Sequence, residues 1–246
     1  MRIILSPAKK MRRDEELLPE TVPVFLNRAE ELLGALRSLT AGQRQKLWKC
    51  SDRLAQENEE NLSHLDLYRN PSCALFSYVG LAYQYLSAES LEEQSLVYLQ
   101  NTLRILSGFY GVVRPMDGIV PYRLEMAASL SVNGCKDLYA FWNSMLYEEV
   151  MKDEDVLINL ASEEYAKAVV PYVQKEKVVH IVFADQGKKG LVTKGTFAKM
   201  ARGAMTRWMA ENRIENAEDL KGFAEGYRFL ERESDESHYV FLKNRT

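Results

Sequence analysis

The sequence predicts an α/β fold: a single compact unit in which a mixed β-sheet is flanked by helices. Three nearly all-apolar runs, at residues 2–5, 156–160 and 178–183, have the length and composition of buried strands. Segments whose apolar residues recur at helical spacing lie between these runs. Because no linker, low-complexity tract or internal repeat interrupts the chain, we expect one domain over residues 1–246.

The composition is that of an ordinary globular protein, with 46% hydrophobic residues and a formal net charge of −3. That charge alone gives no reason to expect a polyanionic partner. Three cysteines without CxxC spacing favour a reducing compartment. The apolar run at the start is too short for a signal peptide, and no window is long enough for a membrane helix. We therefore expect a cytoplasmic protein with no membrane partner.

A helical hairpin is predicted near residues 25–56. Apolar residues keep helical spacing as far as Leu36, which defines the first helix. Thr40 and Gln43 then form a capping box, the signature of a helix start. The second helix is expected to run to about Gln56. Since only a few residues separate the two helices, they form a tight pair.

The middle of the chain mixes helical and ambiguous segments. Residues 74–86 are apolar and aromatic, and strand and helix both remain open there. Residues 89–103 have helical spacing. Asp137 is a suitable N-cap for a helix whose single apolar stripe extends from Leu138 to Val150.

The C-terminal third completes the sheet and adds one long helix. Ser162 follows an apolar strand and is predicted to cap a short helix. A short strand at 190–193 precedes a helix over residues 196–212. Runs at 227–230 and 239–242 flank a polar stretch and are typical of a β-hairpin.

Several common catalytic and metal-binding patterns are absent from the sequence. His64, His180 and His238 are far apart and have no cysteine or carboxylate at metal-ligand spacing, so we expect no metal site and no cofactor. His180 lies in an apolar strand and is interpreted as a core residue. Neither a P-loop, a dinucleotide-binding GxGxxG nor a GxSxG elbow occurs.

The low net charge conceals a strongly basic segment. Residues 188–213 hold seven basic residues and one acidic residue, a charge of +6, so the total of −3 leaves −9 for the rest of the chain. On a helical wheel, Lys199 and Arg202 lie opposite the apolar side, with Gly203 beside them. The small glycine would leave the backbone accessible, which suits a phosphate contact. A merely solvated charged face is the alternative interpretation.

Two further segments carry candidate phosphate ligands. Ser6 ends the first strand, and Lys9 and Lys10 follow it, at the position where open α/β sheets bind ligands. Arg114 and Arg123 lie in a stretch with two prolines that predicts a rigid loop presenting guanidinium groups. A solvated loop in the first case, and a buried arginine–glutamate pair in the second, are the competing interpretations.

Polar residues at two other positions could take part in chemistry. Glu125 could accept a proton or orient an arginine. Asn159 and Ser162 lie at a strand-to-helix junction, where free backbone N–H groups attract anions. Ser162 as a simple N-cap is the alternative.

Taken together, these segments resemble the YaaA family of peroxide-stress resistance proteins over essentially the whole chain. The resemblance is carried, in chain order, by Leu5–Lys9, Ser51–Ala55, Leu106–Pro115, Pro121–Met126, Lys136–Tyr139, Ile158–Tyr165, Ala201–Gly203, Glu211–Arg213 and Gly222–Phe223.

The resemblance implies a cytoplasmic protein that limits damage from hydrogen peroxide, with less free iron and less iron-driven (Fenton) chemistry. It also implies double-stranded DNA binding through a basic cleft and a helix-hairpin-helix element, which would fall at about residues 25–56. The turn between the two helices has Gly42 as its single glycine, where a standard helix-hairpin-helix has paired glycines, and Lys46 and Lys49 on the second helix are placed to reach a DNA backbone. No catalytic residue follows from the resemblance, and no obligate protein partner is inferred.

Two classes of function follow. The first is a DNA-binding stress protein whose contacts come from Lys9, Lys10, Lys46, Lys49, Arg114, Arg123, Lys194, Lys199, Arg202 and Arg207. The second is an enzyme that acts on a nucleotide or nucleic acid, with Ser6, Lys9, Arg123, Glu125 and Asn159 as catalytic candidates and Arg202 completing the pocket. Convergence of these residues in one concave site would favour the enzyme.

Overall fold

The computed structural model describes residues 1–14, 16–188 and 190–244. The strands are β1 (Arg2–Leu5), β2 (Lys10–Met11), β3 (Ser72–Cys73), β4 (Tyr78–Val79), β5 (Leu103–Ser107), β6 (Gly111–Val113), β7 (Gly118–Ile119), β8 (Leu157–Asn159), β9 (Val178–Gly187), β10 (Gly190–Val192), β11 (Tyr227–Phe229) and β12 (His238–Lys243). The α-helices are α1 (Leu26–Ser38), α2 (Ala41–Trp48), α3 (Asp52–Ser63), α4 (Ala74–Ser77), α5 (Leu81–Leu86), α6 (Glu93–Thr102), α7 (Leu138–Trp142), α8 (Met145–Val150), α9 (Glu163–Ala166) and α10 (Gly195–Asn212).

An eight-stranded mixed sheet organises the fold, with the strand order β11-β12-β9-β8-β1-β5-β6 and β10 paired to β9. Strands β5, β1, β8, β9 and β12 run parallel, whereas β6, β10 and β11 are antiparallel to their neighbours. The predicted α/β class, a compact unit with a mixed sheet, is confirmed.

The core surrounds the central strand of this sheet. Ile3, Ile4 and Leu5 in β1 are each at most 1% exposed. Because successive strand residues point to opposite faces, both faces of β1 are covered. Burial of each such side chain contributes roughly 1.5–3 kcal/mol. The largest fully buried side chains include Trp142 and Tyr110.

The parallel strands β1, β5 and β8 end at one side of the sheet, which we call the carboxyl edge. Gly108 follows β5 there, and a Cβ atom on it would lie 2.6 Å from the carbonyl oxygen of Leu124. This close approach holds residues 121–126 against the carboxyl edge. A segment far along the chain thereby reaches the place where Ser6 follows β1.

The helical hairpin forms, but its predicted second helix is in fact two helices. The capping box at Thr40 is confirmed, since Gln43 Oε1 accepts from the Thr40 N–H at 2.8 Å and Thr40 Oγ1 accepts from the Gln43 N–H at 3.3 Å. Helix α2 then ends at Trp48 because Lys49 adopts a left-handed φ of 47°. The chain turns there before α3 begins, so the prediction of one helix to Gln56 is wrong.

Two other predicted helices also differ. The single stripe from Leu138 to Val150 is divided between α7 and α8 by Asn143, whose φ is 45°. Asp137 caps α7 as predicted, by accepting from the Ala140 N–H at 2.8 Å. The segment at 74–86 contains both alternatives, with β4 between α4 and α5.

The C-terminal elements follow the prediction closely. Helix α10 begins one residue before the expected start, and β11 pairs antiparallel with β12 as a hairpin. Strand β9 extends beyond the predicted end to Gly187. Across the described residues, no helix combines the length and apolar character needed to cross a membrane.

Candidate functional site

A cavity of about 380 Å³ opens at the carboxyl edge of the sheet. We call it the edge cavity. Its walls come from the residues after β1, from α5, from the loop that contains Glu125, from residues 160–165 and from α10. Two of the three predicted basic segments meet here, since the cavity is lined by Lys9, Lys10, Lys199 and Arg202.

The third basic segment lies next to the edge cavity. Arg123 lines an adjoining cavity of about 530 Å³ together with Lys9 and Lys10. On another side, a cavity of about 120 Å³ is lined by Lys9 and Lys49, and one of about 360 Å³ by Lys49 and Lys46. Because successive cavities share these lysines, they adjoin one another. We call the four together the basic groove.

Glu125 is held by two cations at the rim of the edge cavity. Its Oε1 lies 2.8 Å from the Arg123 guanidinium and 3.4 Å from Lys9 Nζ. The loop is fixed further by Trp48, whose indole N–H donates to the Arg123 carbonyl oxygen at 2.7 Å. The arginine–glutamate pair therefore forms, and it does so at the wall of the groove.

Three other cations in the edge cavity have no such partner. Among the described residues, no carboxylate lies within ion-pair distance of Lys10, Lys199 or Arg202. The Nε of Arg202 is buried without a hydrogen-bond partner, and burial lowers the pKa of this guanidinium. The other acidic wall residue, Glu164, accepts from the Ala127 N–H at 3.0 Å. The edge cavity thus has an excess of positive charge and suits an anion.

Ser6 and Ser162 hold the two strand ends together. The Ser6 hydroxyl accepts from the Ser162 N–H at 2.8 Å and donates to the Ser162 hydroxyl at 3.1 Å. The Tyr83 hydroxyl donates to the Ser6 carbonyl oxygen at 3.0 Å. The predicted cap is wrong in its detail, because Ser162 makes no side-chain capping bond to α9. These contacts give Ser6 a positioning role.

Asn159 lies apart from the other catalytic candidates. It lines a separate cavity of about 400 Å³ with His180, His238 and Arg202, and Arg202 is the wall shared with the edge cavity. The interpretation of His180 as a core residue is wrong. Its ring is only half-buried and stacks on His238, with ring centroids 4.8 Å apart.

Three of the predicted DNA ligands lie outside the cavities described above, and each is paired with a carboxylate. Arg114 Nε lies 3.4 Å from Asp117. Lys194 Nζ lies 2.6 Å from Asp185. Arg207 lies 2.7 Å from Glu211 and also donates to carbonyl oxygens at the end of α5. Lys189, which belongs to the predicted basic segment, lies outside the described residues.

The expectation of an accessible backbone at Gly203 is wrong. Gly203 is buried, and a Cβ atom on it would lie 1.9 Å from the carbonyl oxygen of Ala82 in α5. The glycine permits α10 to approach α5 at backbone distance. This packing places Lys199 and Arg202 opposite Gly80–Tyr83 in the edge cavity.

A cluster of buried tyrosines beneath the groove was not predicted. The Tyr122 hydroxyl lies 2.6 Å from the Ser107 hydroxyl and 3.0 Å from the Tyr78 hydroxyl. Burial raises the pKa of Tyr122 to about 12, so these groups stay neutral. The aromatic run at 74–86 was the signal that could have indicated this cluster.

Metal-ligating groups are not gathered at this site. Within residues 1–14, 16–188 and 190–244, no group of three or more His, Cys, Asp or Glu side chains lies together in a way that could hold a metal ion. The chemistry that the groove offers is the binding of negative charge by Lys and Arg, supported by neutral hydroxyl groups.

Comparison with known proteins identifies the family. Residues 1–233 match the family model described as "Peroxide stress protein YaaA". A UPF0246 protein of Agathobacter rectalis is 46% identical over 244 residues, which cover 98% of each chain. A UPF0246 protein of Lactiplantibacillus plantarum is 45% identical over 245 residues, covering 98% of this chain and 99% of the relative. This chain therefore belongs to the YaaA family of peroxide stress proteins.

Proposed function

We propose that this protein binds double-stranded DNA in the cytoplasm through the basic groove, and so protects the cell against peroxide. The observation that carries the proposal is the edge cavity, where Lys10, Lys199 and Arg202 meet without a carboxylate partner among the described residues. A phosphate backbone supplies the missing negative charges, and release of its counterions drives association.

The shape of the groove supports a polymeric anion rather than a single small one. Lys46 on α2 and Lys49, the residue that follows this helix, continue the line of cations beyond Lys9. Both lysines are exposed, and both belong to the helical hairpin at about residues 25–56. The hairpin thus contributes side-chain cations to the proposed interface.

Binding of the protein to DNA phosphates would also protect the DNA against iron-driven damage. Cationic side chains that neutralise phosphates displace the metal counterions held there. Iron displaced from covered DNA would generate hydroxyl radicals farther from the sugar-phosphate backbone. We propose this displacement as the way in which the protein limits Fenton damage.

The experiment compares two double charge reversals by fluorescence anisotropy with a labelled duplex. Lys10→Glu plus Lys199→Glu changes the edge cavity and should weaken binding by about 100-fold or more, because two phosphate contacts are lost and two carboxylates that repel phosphate are added. Lys152→Glu plus Lys175→Glu makes the same change in net charge near the starts of β8 and β9, at the opposite edge of the sheet. Equal affinity of the two double variants would refute the proposal.

The same variants test protection. Wild-type protein should reduce cleavage of plasmid DNA by Fe²⁺ and hydrogen peroxide, and the Lys10→Glu/Lys199→Glu variant should not. Protection that persists in that variant would separate it from DNA binding and contradict the displacement mechanism.

A second candidate function is an enzyme acting on a nucleotide or nucleic acid. It is favoured by one observation: Ser6, Lys9, Glu125 and Arg202 line the same cavity, with Arg123 paired to Glu125 at its rim. The hydroxyl of Ser6 and the carboxylate of Glu125 are engaged in the contacts described above, which makes binding the better supported function. If turnover of a nucleotide or DNA substrate is detected, Arg123→Ala should abolish it while the fold stays intact.

A further inference from the structure

The cavity at the end of β8, which we call the histidine cavity, has features that the basic groove does not explain. Its volume is about 400 Å³, and its polar and charged wall residues are Asn159, Glu163, Lys167, His180, Arg202 and His238. Asn159 ends β8 at the carboxyl edge, and His180 is its register partner on β9. Ligands of open parallel sheets bind at this edge.

Asn159 fixes the protonation state of His180. Asn159 Oδ1 accepts from the Ala161 N–H at 3.0 Å, which orients the amide. Its Nδ2 therefore faces His180 Nδ1, at 3.0 Å, and an amide N–H can only donate. His180 Nδ1 must accept, so the proton of the neutral ring is on Nε2. The ring that lines the cavity consequently offers an Nε2–H donor.

The surroundings keep His180 neutral. Burial lowers the pKa of His180, and the stacked His238 lowers it further, while Asp235 acts in the opposite direction. Arg202 and Lys167 add positive charge to the same walls, and Glu163 adds negative charge. Lys167 Nζ lies over the Tyr139 ring, 4.8 Å from its centroid. At neutral pH His180 is thus a hydrogen-bond donor and not a cation.

Arg202 provides the charge. In the described part of the chain, its guanidinium has neither an ion-pair partner nor a hydrogen bond, and its Nε is buried. Leaving such a group desolvated and unpaired is costly, and an anionic oxygen removes that cost. Planar guanidinium groups bind carboxylate and phosphate oxygens with two parallel N–H bonds.

We propose that the histidine cavity binds a small organic anion, whose phosphate or carboxylate group accepts hydrogen bonds from Arg202 and from Nε2 of His180. The cavity is far larger than either group alone. Its remaining walls include Ala161, Ala166 and Val170, which suit an apolar portion of the ligand. Asn159 is the positioning residue that sets the tautomer of His180. Arg202 is shared with the edge cavity, whereas Asn159, His180 and His238 are not, so the proposed site can be tested separately from DNA binding.

The test is a long-range ¹H–¹⁵N NMR titration of the three histidine side chains in the full-length protein at neutral pH and constant ionic strength. Sodium phosphate and sodium acetate are the probes, and sodium chloride is the control. The free protein should show a neutral His180 protonated on Nε2. Phosphate, acetate or both should shift the Nε2 signal saturably, and the stronger probe identifies the preferred group. His64, at the end of α3, serves as the internal reference.

Two variants complete the design. Arg202→Gln should weaken the response by about tenfold or more, since a charge-assisted pair is lost. Lys10 lines the edge cavity and the adjoining cavity of about 530 Å³ but not the histidine cavity, so Lys10→Gln should leave the response unchanged. The proposal is overturned if neither anion shifts His180 beyond His64, if His180 is protonated on Nδ1, or if a correctly folded Arg202→Gln responds like the wild type. Any of these results would leave the DNA-binding proposal intact, because Lys10 and Lys199 test that proposal separately.

Discussion

Replacing Gly203 by alanine should destabilise the protein, although alanine is the better helix former. Gly203 lies inside α10, where a glycine-to-alanine change favours the helix by about 1 kcal/mol. The added Cβ would lie 1.9 Å from the Ala82 carbonyl oxygen, whereas an ordinary contact needs well over 3 Å. Because the obstructing atom is backbone, no rotamer change relieves the clash, and α10 must move away from α5.

The magnitude follows from these two opposing effects. Overpacking typically destabilises a protein by about 1–3 kcal/mol, and because this clash involves backbone we take the upper end, about 3 kcal/mol. Subtracting the gain in helix propensity leaves a net loss of about 2 kcal/mol, or a decrease in Tm of about 4–8 °C for a chain of this size.

Gly34 in α1 is the matched control, since it is exposed and a Cβ there meets nothing within 4 Å. Gly34→Ala should gain about 1 kcal/mol by helix propensity alone. Urea unfolding and thermal melts of both variants give the comparison. If Gly203→Ala is as stable as Gly34→Ala, the close packing of α10 on α5 is not what the glycine provides.

Three further predictions concern stability and reactivity. The pKa of His180 is lower in the folded protein than in the unfolded chain, so the unfolded chain binds the proton more readily. The free energy of unfolding should therefore fall as pH drops below about 6.5. In His180→Gln this free energy should fall less steeply with pH. A pH dependence that this variant leaves unchanged would contradict the assignment. Burial raises the pKa of Cys73 to about 11, so its thiol should be alkylated only after unfolding. The half-buried Cys50 and Cys135 should be alkylated in the native protein. Equal alkylation rates for all three cysteines in the native protein would show that Cys73 is accessible. Arg44 pairs with Glu59 through two contacts of 2.6 Å that join α2 to α3. Arg44→Ala should lower the free energy of unfolding in urea by about 1–3 kcal/mol. An unchanged free energy of unfolding would count against this role.

The elements that the sequence predicts best are those whose signal is local. The apolar run of β1 and the alternating faces of α10 are visible in single segments. Both helix breaks escaped prediction because Lys49 and Asn143 adopt left-handed backbone angles that usually favour glycine. Lys49 is not a residue type that indicates a helix end, whereas Asn143 is one, and the continuous apolar stripe around it hid that signal.

The candidate site shows the same division. Lys9 and Lys10 could be placed at the carboxyl edge because they follow a parallel strand. The i+4 pairing of Arg207 with Glu211 could also have been anticipated from spacing. The pairing of Lys194 with Asp185 depends on how β9 meets β10, which no single segment records.

The environment of His180 could not be predicted from the sequence for a related reason. Its neighbours Asn159 and His238 come from strands on either side of β9, so their contacts depend on strand order and register. The role of Gly203 likewise depends on its contact with α5, a helix far away in the sequence, in a segment where strand and helix both remained open. The residue types in the sequence indicated which side chains belong to the site, whereas the partners of those side chains could be identified only in the folded structure.

The salt dependence of duplex binding tests the central claim most directly. For protein that binds through phosphate contacts, the logarithm of the association constant falls linearly with the logarithm of salt concentration, with a slope near −0.9 per neutralised phosphate. Lys10→Gln plus Lys199→Gln should make this slope shallower by about 1.8, because two contacts are removed. The control pair Lys152→Gln plus Lys175→Gln should leave it unchanged. A wild-type affinity that does not respond to salt, or a slope that the groove variants leave unaltered, would contradict DNA binding through the basic groove.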